Sequence, residues 1–240
     1  MTTADEVRRR LGPGRLLPLG GPGEGAWLTE QAADGVLRHA ADGLDGVAPG
    51  RLRLALADPQ SAPSPAVPAP PSALPPGELR IDAEFAATAL RPLPALASAL
   101  RDTLFTAAAD TLGLVVTEVD LRVTELLDPL AGVPGSTAPG EPPGEPDRAW
   151  PVASGTAGVR PADPADPLAV AAAGAAGVAG LTAVLGVPVH RAADHVRVEV
   201  AVAHGHRPPE VVRAVREAVS AALGDGRPVS VLVTAVGPGS

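Results

Sequence analysis

The 240-residue chain contains no cysteine, lysine, asparagine or tyrosine, and its only aromatic residues besides histidine are two tryptophans and two phenylalanines. Without thiols it can form no disulfide, zinc–thiolate site, iron–sulfur cluster or cysteine nucleophile. Without lysine it cannot contain the Gly-Lys-Ser/Thr sequence of a phosphate-binding P-loop. The composition therefore excludes several large classes of enzyme and metalloprotein.

The charge balance is acidic, with a formal net charge of -8. Nucleic acid and anionic membrane surfaces repel such a chain, so we expect no nucleic-acid partner and no direct insertion into a membrane. The uncharged run 167–189 is mostly Ala and Gly and contains Pro188, which is not typical of a membrane helix. Residues 1–14 are not followed by an apolar signal region, so we expect a cytoplasmic location.

One pattern of apolar residues occurs twice. Residues 79–87 and a helix over 94–112 recur as residues 194–202 and a helix over 209–223. The equivalent apolar positions are Ile81 and Val196, Ala83 and Val198, Phe85 and Val200, Ala87 and Val202, Leu96 and Val211, Leu100 and Val215, and Leu104 and Val219. Because alternation predicts a strand and helical spacing predicts a helix, the chain is predicted to be α+β.

Each copy has the predicted order helix, strand, strand, helix, strand. In the first copy the opening helix starts near Trp27 and ends at Gly43, and the strands are 52–56, 79–87 and 119–123. In the second copy a helix from Leu168 precedes strands at 187–191, 195–204 and 229–233. With right-handed crossovers, each copy becomes a three-stranded sheet covered by two helices.

The predicted organisation is therefore two tandem two-layer domains. Residues 1–23 form an N-terminal arm, with a short helix over 4–11 behind a capping box at 3–6. Residues 24–127 form the first repeat, which contains a Pro-rich hairpin loop at 58–77. Residues 128–164 form a Pro/Gly-rich linker, and residues 165–240 form the second repeat.

The apolar positions and the turn residues of these elements carry a family resemblance. They lie at 44–47 (Leu-Asp-Gly-Val), 81–87, 93–94 (Leu-Pro) and 113–123, and in the second copy at 177–178, 196–205, 208–209 and 229–233. Together they resemble the alkaline-shock or envelope stress response family, here as a tandem copy. The chain is also similar to actinobacterial proteins that are named after a nucleopolyhedrovirus-type family.

The resemblance implies a non-enzymatic, self-associating protein of the bacterial envelope. Such a protein is held at the inner face of the membrane by a membrane-anchored partner, and it has no catalytic residues and no cofactor. The expected partners are that anchored protein, related family members or a second copy of the chain. Because this chain has two fused and unequal copies, the copies could instead bind each other within one chain and so prevent homopolymerisation.

Few residues offer chemistry of their own. His204 and His206 are weak candidates for metal ligands, because no third ligand is fixed by spacing. No serine lies in Gly-x-Ser-x-Gly, so we expect no enzyme and no catalytic residue. Charged residues alternate with apolar ones along two predicted strands, and this pattern predicts solvated strand faces rather than an acid–base pair. They are Glu78, Asp82, Glu84, Glu118, Asp120 and Arg122.

Three segments have more than one interpretation. Residues 20–25, Gly-Gly-Pro-Gly-Glu-Gly, are predicted to lead into a helix and could hold phosphate at its N-terminus, but a flexible connector between the arm and the first domain fits better. The Pro-rich loop 58–77 could dock as polyproline II, although disorder is favoured. Trp150 is a large apolar side chain in a polar linker, and it either folds back on a domain or anchors a partner.

Two functions follow from these observations. The first is a scaffold or interaction protein that associates through exposed sheet edges or helix faces. The second is a small-molecule-binding regulatory protein with a site between the two repeats. Polar groups at equivalent positions in both copies would favour the second function. The pairs found are Arg101 with Arg216 and Asp102 with Glu217, which are typical of solvated helix surface.

Overall fold

A computed structural model describes residues 14–89, 91–127 and 158–237, and it has the predicted α+β fold. The described strands are β1 (Leu16–Pro18), β2 (Ala26–Thr29), β3 (Val47–Leu56), β4 (Leu79–Thr88), β5 (Val116–Leu127), β6 (Val178–Leu181), β7 (Val189–Arg191), β8 (Val196–Val202) and β9 (Val229–Val236). The helices are α1 (Glu30–Asp42), α2 (Leu93–Thr106), α3 (Pro167–Ala173) and α4 (Pro208–Leu223). The predicted helix at 4–11 and the linker residues 128–157 lie outside the described residues.

The first sheet has the order β3-β4-β5, with β3 antiparallel and β5 parallel to the central strand. The predicted strands and the second helix of this copy are confirmed. Ile81, Phe85 and Ala87 are fully buried on the face toward the helices, as their alternation predicts. α2 continues through a π-helical turn, Ala107–Leu112, and ends at Gly113, whose backbone is left-handed.

The second sheet has six strands, not the three predicted for that copy. Its order is β1-β2-β9-β8-β6, and β7 pairs with the same strand, β8, as β6 does. β2 lies parallel to β9, with Trp27 opposite Leu232 and Leu28 opposite Val233. Thus residues assigned to the arm and to the start of the first repeat belong to the sheet of the second copy.

The predicted start of the first helix at Trp27 was wrong, and Thr29 explains why. The Thr29 hydroxyl oxygen accepts a hydrogen bond from the Ala32 backbone N–H at 3.3 Å, which is an N-cap contact. The helix therefore begins at Glu30, and the extended residues before the cap are free to pair with β9.

The internal duplication is visible in the backbone hydrogen bonds. In each copy the parallel pair of strands skips one residue at the same place, Thr124 in β5 and Thr234 in β9. Each threonine hydroxyl donates to the carbonyl oxygen of the neighbouring strand at 3.3 Å, to Phe85 in the first copy and to Val200 in the second. A shared irregularity with a shared side-chain contact supports descent of both copies from one unit.

The two copies dock on each other. α1 packs against β3 of the first sheet and β9 of the second, and one hydrophobic core contains residues of both copies. Arg207 of the second copy donates hydrogen bonds to the carbonyl oxygens of Ala109 and Asp110 at 2.8 and 2.9 Å. A Cβ at Gly113 would lie 2.3 Å from Cγ of Pro209. The division into two separate folding units stays a prediction.

The Pro-rich loop is ordered, so the favoured prediction of disorder was wrong. The Leu74 N–H donates to the Leu16 carbonyl oxygen at 2.8 Å, and the Leu16 N–H donates to the Ser72 carbonyl oxygen at 3.1 Å. Val67 of the same loop is buried. The physical reason is that β1 ends the sheet, and its free backbone groups provide partners for the loop.

The end of the predicted linker is also paired. Arg160 and Leu181 exchange two backbone hydrogen bonds of 2.7 and 3.3 Å, so this part of the chain covers the edge of β6. Within the described residues no helix is long and apolar enough to cross a membrane. The uncharged run 167–189 divides into α3, β6 and the start of β7.

The docking of the copies can be tested at two glycines that end equivalent helices. Gly113→Ala and Gly224→Ala each place a side chain on a left-handed residue, which costs about 1–2 kcal/mol. Nothing lies within 4 Å of a Cβ at Gly224, whereas a Cβ at Gly113 meets Pro209. We therefore expect Gly113→Ala to lower the free energy of unfolding by about 1–3 kcal/mol more than Gly224→Ala does, measured by urea denaturation. Equal losses would contradict docking of the copies at this contact.

Candidate interaction surface

The outer face of the first sheet, away from the helices, is open and charged. Because the apolar residues of each strand point inward, the residues between them point outward. The side chains that define this outer charged face are Arg51 and Arg53 on β3, Asp82 and Glu84 on β4, and Asp120 and Arg122 on β5. They line a shallow open groove and carry three charges of each sign.

The ion pairs on the outer charged face are long and solvated. Arg80 lies 3.6 Å from Asp82, and Arg122 lies 4.0 Å from Glu84 with 80% of its side chain exposed. Exposed pairs of this kind contribute about 1 kcal/mol or less to stability. The prediction that these carboxylates form a solvated strand face is confirmed, and their charges remain available to another molecule.

The equivalent face of the second sheet is buried. Glu199 occupies the position of Glu84, and its side chain is completely buried. Its carboxylate accepts hydrogen bonds from the backbone N–H groups of Val184 at 2.6 Å and Leu185 at 3.1 Å, and it lies 3.6 Å from the Arg197 guanidinium. Burial raises the pKa of Glu199, while the two backbone donors and Arg197 oppose that shift.

Segments of the same chain provide the cover. Leu185 packs with Leu16, Trp27 and Leu232 in a small apolar cluster on this side of the sheet. The Trp27 indole N–H donates to the carbonyl oxygen of Leu74, in the Pro-rich loop, at 3.3 Å. The second copy thus binds two loops on one face of its sheet, whereas the described residues leave the equivalent face of the first copy uncovered.

The two histidine candidates for metal binding lie in the turn between β8 and α4. They border a cleft of about 200 Å³ together with Asp110, Thr111 and Arg207. In the described part of the chain no three His, Asp or Glu side chains are grouped so that they could hold a metal ion. The His206 ring lies so close to Gly177 that a Cβ there would be 2.9 Å from it, so packing accounts for this histidine.

The glycine-rich segment 20–25 leads into a strand and not into a helix, which corrects the predicted connector. It forms the turn between β1 and β2, and Arg216 of α4 donates to the Glu24 carboxylate at 2.9 Å and to the Gly23 carbonyl oxygen at 3.3 Å. Arg216 is therefore not simply solvated helix surface. Arg101 instead donates to the Val119 carbonyl oxygen at 3.3 Å, so the two arginines do not converge on one site.

Trp150, the predicted partner anchor, lies outside the described residues. Comparisons with protein-family models, curated proteins and solved structures find no match to this chain. The geometry of the chain itself is therefore the basis for assigning a function.

The contrast between the two sheet faces predicts unequal effects of one substitution. Glu199→Ala removes the acceptor for two backbone N–H groups and leaves the guanidinium of Arg197 buried without its carboxylate, at a cost of about 3–5 kcal/mol. Glu84→Ala, at the equivalent open position, should change stability by about 0.5 kcal/mol or less. Urea denaturation of both variants measures the difference. If the two variants lost similar amounts of unfolding free energy, Glu199 would be no more buried than Glu84, which would contradict the contrast between the two faces.

The raised pKa of Glu199 also predicts a pH dependence. A carboxyl whose pKa is raised by folding binds its proton more tightly when folded, so stability falls as pH rises from the unfolded value near 4.5 toward the folded value. In the variant Glu199→Gln the side-chain amide neither gains nor loses a proton in this pH range. The unfolding free energy of the wild type minus that of this variant should therefore decrease over the pH window that begins near 4.5 and extends upward. A difference that increases over this window would contradict the buried position of the carboxyl.

Proposed function

We propose that this chain is a non-enzymatic interaction protein that binds a partner protein through the outer charged face of its first sheet. The observation that supports the proposal is the buried counterpart of that face in the second copy. There Glu199 accepts hydrogen bonds from two backbone N–H groups of a loop, whereas Glu84 has the same position on a face that no loop covers among residues 14–89, 91–127 and 158–237. The fold thus contains one occupied and one open example of the same binding surface.

The distribution of charge favours a protein as the partner. Acidic Asp82 and Glu84 on the central strand are flanked by Arg53 on one side and Arg122 on the other. A phosphate polymer requires a surface of one sign, whereas alternating signs match a protein surface that carries both charges. The expected partner offers backbone N–H groups or arginines to the two carboxylates and carboxylates to the flanking arginines.

The family resemblance suggests which proteins could be the partner. A membrane-anchored partner would hold the chain at the inner face of the membrane, and related family members would give a larger envelope-associated scaffold. A second copy of the chain is a third source of the same chemistry. All three use the outer charged face, so one experiment addresses them together.

The alternative is a small-molecule-binding regulatory protein with its site between the copies. The cleft beside His204 and His206 does lie between them, but at about 200 Å³ it is smaller than the roughly 300–1,000 Å³ of common ligand sites. Arg207, its cationic side chain, already binds two carbonyl oxygens. These observations favour the interaction protein over the small-molecule sensor.

A photoreactive side chain placed on the face tests the proposed function in living cells. We expect p-benzoylphenylalanine in place of Asp82 to give one discrete crosslinked product with a partner protein. The same residue in place of Arg213, which is exposed on α4, is the matched control and should not give that product. Mass spectrometry of the product identifies an anchored protein, a family member or a second copy.

A second substitution shows whether the crosslink depends on the charges. Glu84→Arg in the Asp82-labelled protein reverses one charge of the face, and it should reduce the yield of the product about tenfold or more, because like charges across an interface oppose binding. Equal yields from the two labelled positions, or an unchanged yield with Glu84→Arg, would refute binding at this face.

A further inference from the structure

The two edges of the first sheet differ in how they are protected. In the described residues β3 and β5 each pair only with β4. β3 contains Pro49, Gly50 and an irregular register, which are typical of an edge that does not accept a further strand. β5 is a 12-residue strand without proline or glycine, and its register is regular over 118–123. An edge of this kind is a template for another strand.

Apolar side chains lie uncovered along the edge of β5. Val123 is 38% exposed and Leu126 is 59% exposed. In the second copy the corresponding strand, β9, is covered by β2, and Val233, the counterpart of Val123, is fully buried. The edge of β5 is therefore the position of a strand that the second copy has and that the described residues of the first copy lack.

The segment that corresponds to β2 is used elsewhere. Thr29 caps α1 and Asp166 caps α3, so residues 163–166 correspond to β2 in the duplicated unit. The Asp166 N–H donates to the Asp163 carbonyl oxygen at 3.0 Å, so this segment forms a turn and not a strand. Within the described residues the edge of β5 is thus available to another molecule.

Backbone groups of β5 point to the open edge. In the second copy the Val231 N–H donates to the Gly25 carbonyl oxygen, away from β8, and Leu121 has the same register position on β5. Residues two positions before and after Leu121 face the same way. The Val119 carbonyl oxygen accepts a bond from Arg101 Nε at 3.3 Å and has a second lone pair for another donor.

We propose that β5 pairs with β5 of a second molecule of this chain, antiparallel and around a twofold axis at Leu121. The charges select this register. Asp120 lies opposite the partner subunit's Arg122, and Arg122 lies opposite the partner subunit's Asp120. Moving the axis by one residue puts two Asp120 or two Arg122 side chains opposite each other, and like charges directly opposite destabilise a strand pair.

The apolar residues match in the same register. Val119 lies opposite the partner subunit's Val123, on the face toward the helices. In its pairing with β4, β5 skips one residue on each side of the axis, so Val116 lies opposite the partner subunit's Leu126. The exposed Val123 and Leu126 thereby gain apolar neighbours, and two three-stranded sheets join into one of six strands.

This dimer uses the strand edge and goes beyond the proposed function, which uses the face of the sheet. Asp82 and Glu84 on the central strand stay open in it, so the dimer presents two outer charged faces side by side. The two proposals fail separately. A chain without the dimer can still give the crosslink from position 82 to a different protein, and a chain without that crosslink can still form the dimer.

Exchanging the charges tests the register. Asp120→Arg places arginine opposite the partner subunit's Arg122, and Arg122→Asp places aspartate opposite the partner subunit's Asp120. Each variant alone should raise the Kd of the dimer about tenfold or more in sedimentation velocity. An equal mixture of the two variants opposes unlike charges again, and it should form a heterodimer with nearly the wild-type Kd. A monomeric wild type, or a mixture that stays monomeric, would overturn the proposal.

The absence of cysteine from the chain allows a second test. Leu121→Cys places a thiol on the twofold axis beside its symmetry mate. Val123→Cys is the matched control on the same face, because its symmetry mate lies about 14 Å away, too far for a disulfide. Oxidation should link Leu121→Cys into dimers about tenfold faster or more. Equal rates would show random collision and overturn the proposal.

Hydrogen exchange separates the second molecule from other occupants of the edge. In the dimer the N–H groups of Leu121 and Val123 are bonded to the partner subunit, so Arg122→Asp should speed their exchange about tenfold or more. Slow exchange at both residues in a monomeric protein would place a segment of the same chain on the edge and refute the dimer.

Discussion

The parallel pairing of β2 with β9 is the interaction on which the rest of the structure depends. It joins a strand from the first copy to the sheet of the second, and one end of it, Thr29, also caps α1. The Thr29 hydroxyl additionally donates to the Thr234 carbonyl oxygen at 3.3 Å. Leu28 enters the shared core while Trp27 completes the cluster on the other side, so this short strand supports both faces of the sheet.

The duplicated unit could be predicted because its residues follow simple periods. Ile81 and Phe85 alternate with charged neighbours, and Leu96, Leu100 and Leu104 repeat at helical spacing; all are buried as expected. The strands that were missed, β1, β2 and β6, are three or four residues long. Apolar runs of that length do not distinguish a strand from the start of a helix, and their pairing partners lie far away in sequence.

The candidate surface shows a sharper limit of sequence reasoning. Glu84 and Glu199 have the same position in two strands with the same alternation, yet one is half-buried and ion-paired on an open face and the other is fully buried. No local pattern separates them. The difference comes from Val184, Leu185 and the Pro-rich loop, whose positions depend on tertiary contacts that periodicity does not encode.

The position of β2 in the sheet of the other copy also has a consequence for biosynthesis. Thr29 and its contact Thr234 are 205 residues apart in sequence, so the strand and its partner are made at widely separated times on the ribosome. Until β9 has been translated, Trp27 and Leu28 have no sheet to join, and contacts of such long range form slowly. The nascent first copy therefore carries an apolar segment that a chaperone can bind, and its maturation is tied to the completion of the second copy.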